Sequence, residues 1–243
     1  MAAAALAVSL ASSQATPVYS QNVVGYATLP APNSGYYYLL ETPFVEGVSN
    51  GANEVFGTTG VDGIGSLPDS SEILTWNVAA QSYSTYVFDA SYGANASGWY
   101  DQYYNNATIP VLSPGQGFFL LPSAPMVNTY VGTVAVNISA SKNQNLPNSG
   151  YYYLVGSLIP FSGTVAGVSS VNLTGLPDSS ELLQWNVAGQ SYTTEVYDSS
   201  YGGDANNWYD QYYNNIATPS INVGDGFFIL PSGSYVWSQT LNP

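Results

Sequence analysis

The chain lacks cysteine, histidine and arginine, and it contains a single lysine, Lys142. Without cysteine it forms no disulfide. Without histidine or cysteine it has neither the usual zinc ligands nor a Ser-His-Asp or Cys-His catalytic set. One cation cannot neutralise a row of phosphates, so the composition excludes nucleic-acid binding and attachment to anionic lipid. These absences remove most common biochemical functions.

Charge of either sign is scarce. Charged residues make up 7% of the 243 residues, against about 25% in ordinary soluble domains. The 15 acids leave a net charge of −14, and polarity comes from Asn, Ser, Thr, Gln and 22 tyrosines. The 45% of hydrophobic residues can fill a core, which argues against disorder. Such a neutral hydrogen-bonding composition is typical of secreted fibres and surface coats, so we expect a folded protein that is extracellular or at the cell surface.

Long hydrophobic runs and helical periodicity are also missing. The apolar run within residues 1–15 is too short to span a bilayer. The small residues that follow it make it resemble a secretory signal without the usual positive start. Leu6, Val8 and Leu10 alternate with small residues, a pattern that instead suits a donor strand with one buried face. Both interpretations of residues 1–21 stay open, and we expect no membrane span.

What the chain does contain is an internal duplication. Asn33–Leu39 returns as Asn148–Leu154, 115 residues later. From Leu67, which matches Leu176, the two copies stay 109 residues apart, because the first copy carries six extra residues before this point. A repeat of this length is too long for a solenoid unit and about right for one domain.

Each copy consists of short segments rich in β-branched and aromatic residues, separated by Gly, Pro and Asn turns, which predicts antiparallel strands. We predict an all-β fold of two tandem antiparallel β-sandwich domains, Ig-like or jelly-roll-like, at 22–132 and 133–243. No Pro-rich or Gly/Ser-rich spacer separates them, which favours a closely packed pair. Val131–Val134 echoes the head of copy one, so we expect it to begin copy two or to be shared with the end of copy one. The strands predicted in copy one are Val23–Leu29, Tyr36–Glu41, Glu72–Asn77, Tyr83–Asp89, Trp99–Tyr104, Gly117–Leu121 and Met126–Val136.

Several short stretches together resemble a known group of proteins. They are Gln21–Tyr26, Leu67–Asp69 ahead of Trp76, Pro114–Phe119 and the closing Trp237. Through them the chain is similar, over nearly its whole length from Gln21, to a family of uncharacterised secreted tandem-repeat β proteins predicted in Verrucomicrobia-type bacteria. The resemblance implies export and a duplicated β domain, and it implies no particular activity.

The acids occur mostly at equivalent positions of the two copies. Two carboxylates can hydrolyse a glycoside when one is kept protonated, but no other part of a recognisable active site accompanies these pairs. Asp69 and Asp178 fall in Pro-Asp-Ser-Ser turns, where Asp bonds nearby backbone. We therefore predict structural acids, no catalytic residues and no enzymatic activity. The pairs are Asp69/Asp178, Glu72/Glu181, Asp89/Asp198 and Asp101/Asp210.

One loop carries oxygen-bearing side chains at alternating positions, as a calcium loop does. The candidate ligands are Asp198, Ser200, Asp204 and Asn206. The pattern lacks the closing Glu of an EF-hand, so the motif favours an Asn/Gly-rich hairpin loop over a calcium loop. Calcium is the one cofactor that the sequence suggests.

Runs of tyrosine suggest an aromatic surface, for which the candidates are Tyr103, Tyr104, Tyr212 and Tyr213. Consecutive side chains of a strand point to opposite faces, so half of each run is expected in the core. The outward half suits either sugar stacking or a contact between proteins. Four sequons are candidate glycosylation sites in a host that glycosylates: Asn95, Asn106, Asn137 and Asn172.

These patterns lead to two expectations for function. The first is a non-enzymatic extracellular structural protein whose partners are copies of itself, joined into a filament or surface layer when the segment with Leu6, Val8 and Leu10 adds as a strand to a neighbour. The alternative is a secreted, lectin-like module that binds glycans through exposed tyrosines. The net charge of −14 opposes assembly, so we expect salt, calcium or low pH to promote it.

Overall fold

A computed structural model describes residues 23–57, 67–136, 141–166, 171–203 and 205–241. These residues form an almost wholly β structure of antiparallel strands with one short helix. The predicted all-β antiparallel fold is therefore confirmed. The segment with Leu6, Val8 and Leu10 lies outside the described residues.

The strands of the two copies, which we name repeat 1 and repeat 2, correspond in order. Repeat 1 contains β1 (Val24–Ala31), β2 (Tyr38–Glu41), α1 (Ala52–Phe56), β3 (Ser71–Asn77), β4 (Ser82–Phe88), β5 (Trp99–Asp101), β6 (Gly117–Leu121) and β7 (Met126–Thr133). Repeat 2 contains β8 (Ser141–Leu146), β9 (Tyr153–Val155), β10 (Gly163–Thr164), β11 (Ser180–Asn186), β12 (Ser191–Tyr197), β13 (Trp208–Asp210), β14 (Ser220–Ile221), β15 (Phe227–Leu230) and β16 (Tyr235–Thr240).

Each repeat has one five-stranded sheet and one two-stranded ribbon. The five-stranded sheets have the orders β2-β6-β3-β4-β5 and β9-β15-β11-β12-β13, which are the same order in equivalent strands. The ribbons are β1-β7 and β8-β16. Repeat 2 adds the small pair β10-β14, and repeat 1 has a single bridge between Gly51 and Val111 beside α1.

The segment Val131–Val134 belongs to the end of repeat 1. Strand β7 runs to Thr133 and pairs with β1, and the first strand of repeat 2 begins at Ser141. The echo between the two segments has a packing cause, since Gly25 lies opposite Gly132. A Cβ at Gly25 would come within 2.6 Å of the Phe44 ring, and one at Gly132 within 2.9 Å of Phe44 Cβ.

Each five-stranded sheet buries one face against its own ribbon and loops. In repeat 1 this face carries Ile73, Phe118 and Leu120, and it packs on Tyr130 of the ribbon. Repeat 2 builds the equivalent core, whose largest members are Leu182, Trp208, Phe227, Ile229 and Trp237.

The opposite faces of the two sheets meet each other and form a third core. Its centre is Leu39, Phe119, Leu154 and Phe228, all at most 5% exposed. Because both faces of each sheet are buried, the central strands are continuously apolar instead of alternating. The run Phe118–Leu121 is an example, since Phe118 and Leu120 face the core of repeat 1 while Phe119 faces repeat 2.

Contacts across the third core are reciprocal. The Trp76 Nε1–H donates to the carbonyl of Tyr152 at 2.8 Å, and the Trp185 Nε1–H donates to the carbonyl of Tyr37 at 2.8 Å. The Tyr152 N–H donates to Gln81 at 2.9 Å, and its counterpart at Tyr37 donates to Gln190 at 2.9 Å. The hydroxyls of Tyr83 and Tyr192, which are equivalent residues, meet at 3.2 Å.

The two sheets are also joined at their edges. Single antiparallel bridges connect Leu40 with Asp225 and Gln116 with Val155. The expectation of a closely packed pair thus takes a specific form. Each repeat has a core, to which Leu158 and Ile159 of repeat 2 contribute in the case of repeat 1, and a third core is shared by both.

Candidate functional site

The paired acids of the Pro-Asp-Ser-Ser turns hold the sheet together. Asp69 Oδ1 accepts the N–H of Ala90 at 2.8 Å, and Asp178 Oδ1 accepts the N–H of Ser199 at 2.7 Å. Each bond ties the turn before one strand to the end of the next. This shared bond gives a structural reason for the aspartate at the same position of both copies.

A second pair of acids organises the turn after β5 and its counterpart. Asp101 accepts the N–H of Tyr103 at 2.8 Å and the backbone and side-chain N–H groups of Asn105, both at 2.9 Å. The hydrogen bonds from Asn105 hold the pKa of Asp101 below its ordinary value. Asp210 makes the same bonds to Tyr212 and Asn214. The predicted strand Trp99–Tyr104 therefore stops at Asp101.

These turns separate the candidate tyrosines into two kinds. Tyr104 has a positive φ of 61°, which brings its ring over Tyr100 at 5.7 Å and beside Tyr92 at 5.1 Å. Tyr103 stands at the tip and is 76% exposed. Repeat 2 has the same arrangement, with Tyr213 stacked on Tyr209 at 5.8 Å and Tyr212 77% exposed.

Three of the four candidate calcium ligands, Asp198, Ser200 and Asn206, have bonding partners in the protein. Asp198 Oδ1 accepts the N–H and the hydroxyl of Ser200 at 3.0 and 2.7 Å. Asn206 accepts the N–H of Trp208 at 2.9 Å and donates to the carbonyl of Ile216 at 2.8 Å. Asp204 lies outside the described residues, within which no cluster of three acids is placed to hold a metal. Calcium binding stays a prediction.

The three sequons within the described residues lie in the segments between strands. Asn95 is half-buried, and its amide donates to the carbonyls of Trp99 and Ala107 at 2.7 and 3.1 Å. Asn106 is exposed. Asn172 is half-buried, and its amide donates to the carbonyl of Ser238 at 3.2 Å. Asn137 lies outside the described residues.

Several carboxyls are buried. Glu41 is fully buried where the repeats join, and its carboxyl oxygens have no close hydrogen-bond partner. Burial raises the pKa of Glu41 well above its ordinary value, and the charge of Asp225 adds to this. Burial, with a contribution from Glu54, raises the pKa of Glu46 to about 8. Burial raises the pKa of Glu195 to about 7.

Glu54 behaves in the opposite way. Its carboxylate accepts the backbone N–H groups of Val48, Ser49 and Gly51 at 2.8, 3.0 and 3.0 Å. These bonds, that of Val48 first, lower the pKa of Glu54 to about 2. Burial thus raises the pKa of some carboxyls of this chain, whereas backbone hydrogen bonds lower the pKa of Glu54.

The ribbon β1-β7 has an uncharged outer face that is largely apolar. Val24, Tyr26, Val127 and Val131 share this face and are 67%, 79%, 55% and 47% exposed. Tyr26 lies opposite Val131 across the ribbon. In the described part of the chain, β1 pairs only with β7, which leaves its other edge open within that part. An open edge beside an apolar face is a common mark of contact with another chain.

Repeat 2 provides an internal comparison for this ribbon. Ser141 takes the place of Tyr26 and faces Thr240, which takes the place of Val131. Lys142, the only cation of the chain, takes the place of Ala27 and is exposed. Lysine on an edge strand is a known protection against pairing with another chain. Repeat 2 has this protection and repeat 1 lacks it.

Comparison with protein-family models, with curated proteins and with solved structures finds no match. Across the residues that the structure describes, no helix has the length and apolar character needed to cross a bilayer.

Sequence reasoning missed the edge of β1. Its strand was predicted, but the edge is visible only once β1 is known to pair on one side. The duplicated sequence nevertheless contained an indication that the edge of β1 is special. Where most structural positions repeat, the change from Tyr26 and Ala27 to Ser141 and Lys142 marks a surface on which the two copies differ.

Proposed function

We propose that this protein is a non-enzymatic extracellular structural subunit whose copies assemble by β-strand addition. The first support for a structural role is that the paired aspartates form hydrogen bonds within turns of the fold. Asp69, Asp101 and their counterparts in repeat 2 are engaged in turns. Export is suggested by the charge-poor composition and by the resemblance to secreted repeat proteins.

The observation that carries the proposal is the open, uncharged edge of β1. An edge strand presents unpaired N–H and C=O groups, and proteins usually protect such a strand with charge, with a bulge or with a covering segment. Strand β1 contains no charged residue, and its outer face shows Val24 and Tyr26 to solvent. A strand from another molecule would satisfy the open groups and cover the flank of this apolar face.

A matched pair of substitutions tests the proposal. Thr28→Lys places a charge on the open edge, and Asn143→Lys places the same charge at the equivalent exposed position of repeat 2. We expect the wild-type chain to associate as its concentration rises, and more strongly in salt, which screens the net charge of −14. Thr28→Lys should abolish this association and Asn143→Lys should preserve it, as measured by sedimentation velocity and electron microscopy.

The contrary results are equally clear. A wild-type chain that stays monomeric at all concentrations and salt levels contradicts assembly. Association that both lysine variants retain would place the contact elsewhere than β1. Deleting residues 2–15 addresses the donor segment that the sequence suggests, because its loss should dissolve an assembly that depends on Leu6, Val8 and Leu10.

A second candidate function is binding of glycans by the turn tyrosines. The observation that favours it is the matched exposure of Tyr103 and Tyr212, at 76% and 77%, on rigid Asp-capped turns. Exposed aromatic rings held in this way can stack on sugar rings. Binding to a glycan array or to polysaccharide, lost in Tyr103→Ala or Tyr212→Ala while the protein stays monomeric, would support this function over assembly.

A further inference from the structure

The pairing of β1 with β7 determines which backbone groups face outward. The N–H and C=O of Thr133 bond to Val45 on the far side of β7, at 3.1 and 2.7 Å. Thr133 and its partner Val24 therefore form a non-hydrogen-bonded pair of the ribbon. Because such pairs alternate in an antiparallel ladder, Val24, Tyr26 and Thr28 all direct their N–H and C=O groups away from β7.

The open edge has a definite end. Pro30 is the next outward-directed residue after Thr28, and a proline has no N–H to donate. Only the carbonyl of Pro30 can bond to an added strand, so a strand that extends past Thr28 has one hydrogen bond fewer than a complete ladder. Within the described residues, the complete part of the edge is the stretch from Val24 to Thr28, which has Tyr26 at its centre.

From this geometry we infer that β1 pairs antiparallel with β1 of a second copy, with Tyr26 opposite Tyr26 of that copy. The inference rests on the proposed function and names its contact. In this register Val24 lies opposite Thr28 in both halves, so every outward N–H of the stretch meets a carbonyl. Centring the pair on Thr28 would place Tyr26 opposite Pro30 and lose a bond on each side.

The outer face supports the same partner. Pairing turns two ribbons into one four-stranded sheet in the order β7-β1-β1-β7. Tyr26 and Val131 then form a single row with their counterparts from the second copy, and cross-strand aromatic pairs stabilise a sheet. In repeat 2 the equivalent row would be Ser141 and Thr240, with Lys142 beside them, so the same pairing there lacks both the apolar contact and the neutral edge.

The symmetry of the contact has a consequence. A strand paired with its own copy is an isologous contact, which closes on two molecules. The dimer is thus the unit from which any longer assembly is built, and growth beyond it uses a second surface. Addition of the N-terminal segment to a neighbour would instead be heterologous and would give an open series of sizes.

Cysteine cross-linking tests the register directly, because the chain has no cysteine of its own. Full-length Val24→Cys and Thr28→Cys chains are oxidised separately and then as a mixture. Paired residues lie about 5.5 Å apart between Cα atoms, within disulfide reach, whereas Val24 and its own copy are about 13 Å apart along the strands. The mixture should give the heterodimer in roughly tenfold excess over either homodimer.

The control uses Ser141→Cys and Asn145→Cys, which have the same spacing on the edge of β8 and should not cross-link. Homodimers of Val24→Cys or Thr28→Cys, or equal cross-linking of the control pair, would overturn the inference. Two further outcomes would overturn the β1–β1 register while leaving assembly by strand addition intact. One is an assembly that forms without a disulfide between positions 24 and 28 of two copies. The other is an assembly that disappears when residues 2–15 are deleted. A chain that stays monomeric would overturn both the inference and the proposed function.

Discussion

The two repeats have different residues at a pair of equivalent positions that lie against each other, because there is room for only one large side chain. Glu41 and Gly156 occupy equivalent positions and lie against each other where the repeats join. A Cβ at Gly156 would come within 2.6 Å of Glu41 Cδ. The space between these two equivalent positions holds one carboxyl side chain, so one repeat supplies the glutamate and the other a glycine.

We predict that Gly156→Ala destabilises the protein by about 1–3 kcal/mol, as overpacking does in a close-packed interior. The measurement is chemical denaturation. Combining it with Glu41→Gly, which removes the side chain that the new methyl group meets, should cost less than the sum of the two single changes. Simple additivity would show that the two positions do not share this space.

The buried carboxyl of Glu195 predicts a pH dependence. Its folded pKa of about 7 lies above the ordinary value of 4.5, so its contribution to stability is fully present below pH 4.5 and is lost as the pH rises through 7. Glu195→Gln removes this loss. We expect the variant to gain about 1–3 kcal/mol relative to wild type between pH 4 and pH 8.

Glu54 offers a comparison of opposite sign in the same titration. Its folded pKa of about 2 lies below 4.5, so its contribution is present above pH 4.5 and is lost as the pH falls towards 2. Glu54→Gln should therefore be less stable than wild type at neutral pH, and the difference should close in acid. If both variants followed wild type in parallel at every pH, the assigned environments of the two carboxyls would be wrong.

At the scale of elements, the sequence predicted most strands but not their ends. Gly117–Leu121 was predicted with its observed bounds, because a compact apolar run lies between turn residues. Trp99–Tyr104 was predicted too long, since Asp101 turns the chain by bonding the N–H groups ahead of it. Helix α1 has five residues, which are too few to establish a helical period, so the pattern did not indicate it.

The Asp-capped turns lead to a prediction that compares equivalent elements. Asp101→Ala and Asp210→Ala should each lower the melting temperature, and by similar amounts, because the two turns make the same bonds. Asn retains an oxygen that can accept the backbone N–H groups, so Asp101→Asn and Asp210→Asn should be milder. Near-ultraviolet circular dichroism should report loss of the Tyr100–Tyr104 and Tyr209–Tyr213 stacking in the alanine variants. An alanine variant that melts like wild type would show that its turn does not depend on the aspartate.

For the whole molecule, the sequence indicated the duplication but not how the copies meet. A continuous apolar run such as Phe118–Leu121 indicates that both faces of a strand are buried, but it does not identify the part of the protein that covers the second face. The structure supplies the answer in Phe119, whose ring packs 5.0 Å from that of Trp185 in the other repeat. Reciprocal contact between equivalent residues cannot be read from one linear sequence, because it depends on the rotation that relates the two sheets.

The shared core predicts that the chain unfolds as one unit. Two independent domains would melt separately, whereas here Phe119 packs on Trp185 and Phe228 packs on Trp76 at 5.2 Å, so neither sheet keeps its second face covered without the other. Calorimetry should give a single transition with equal calorimetric and van't Hoff enthalpies. Phe119→Ala and Phe228→Ala should each cost about 3–5 kcal/mol and shift that one transition by similar amounts. Two resolved transitions, of which each variant moves only its own, would mean that the third core does not couple the repeats.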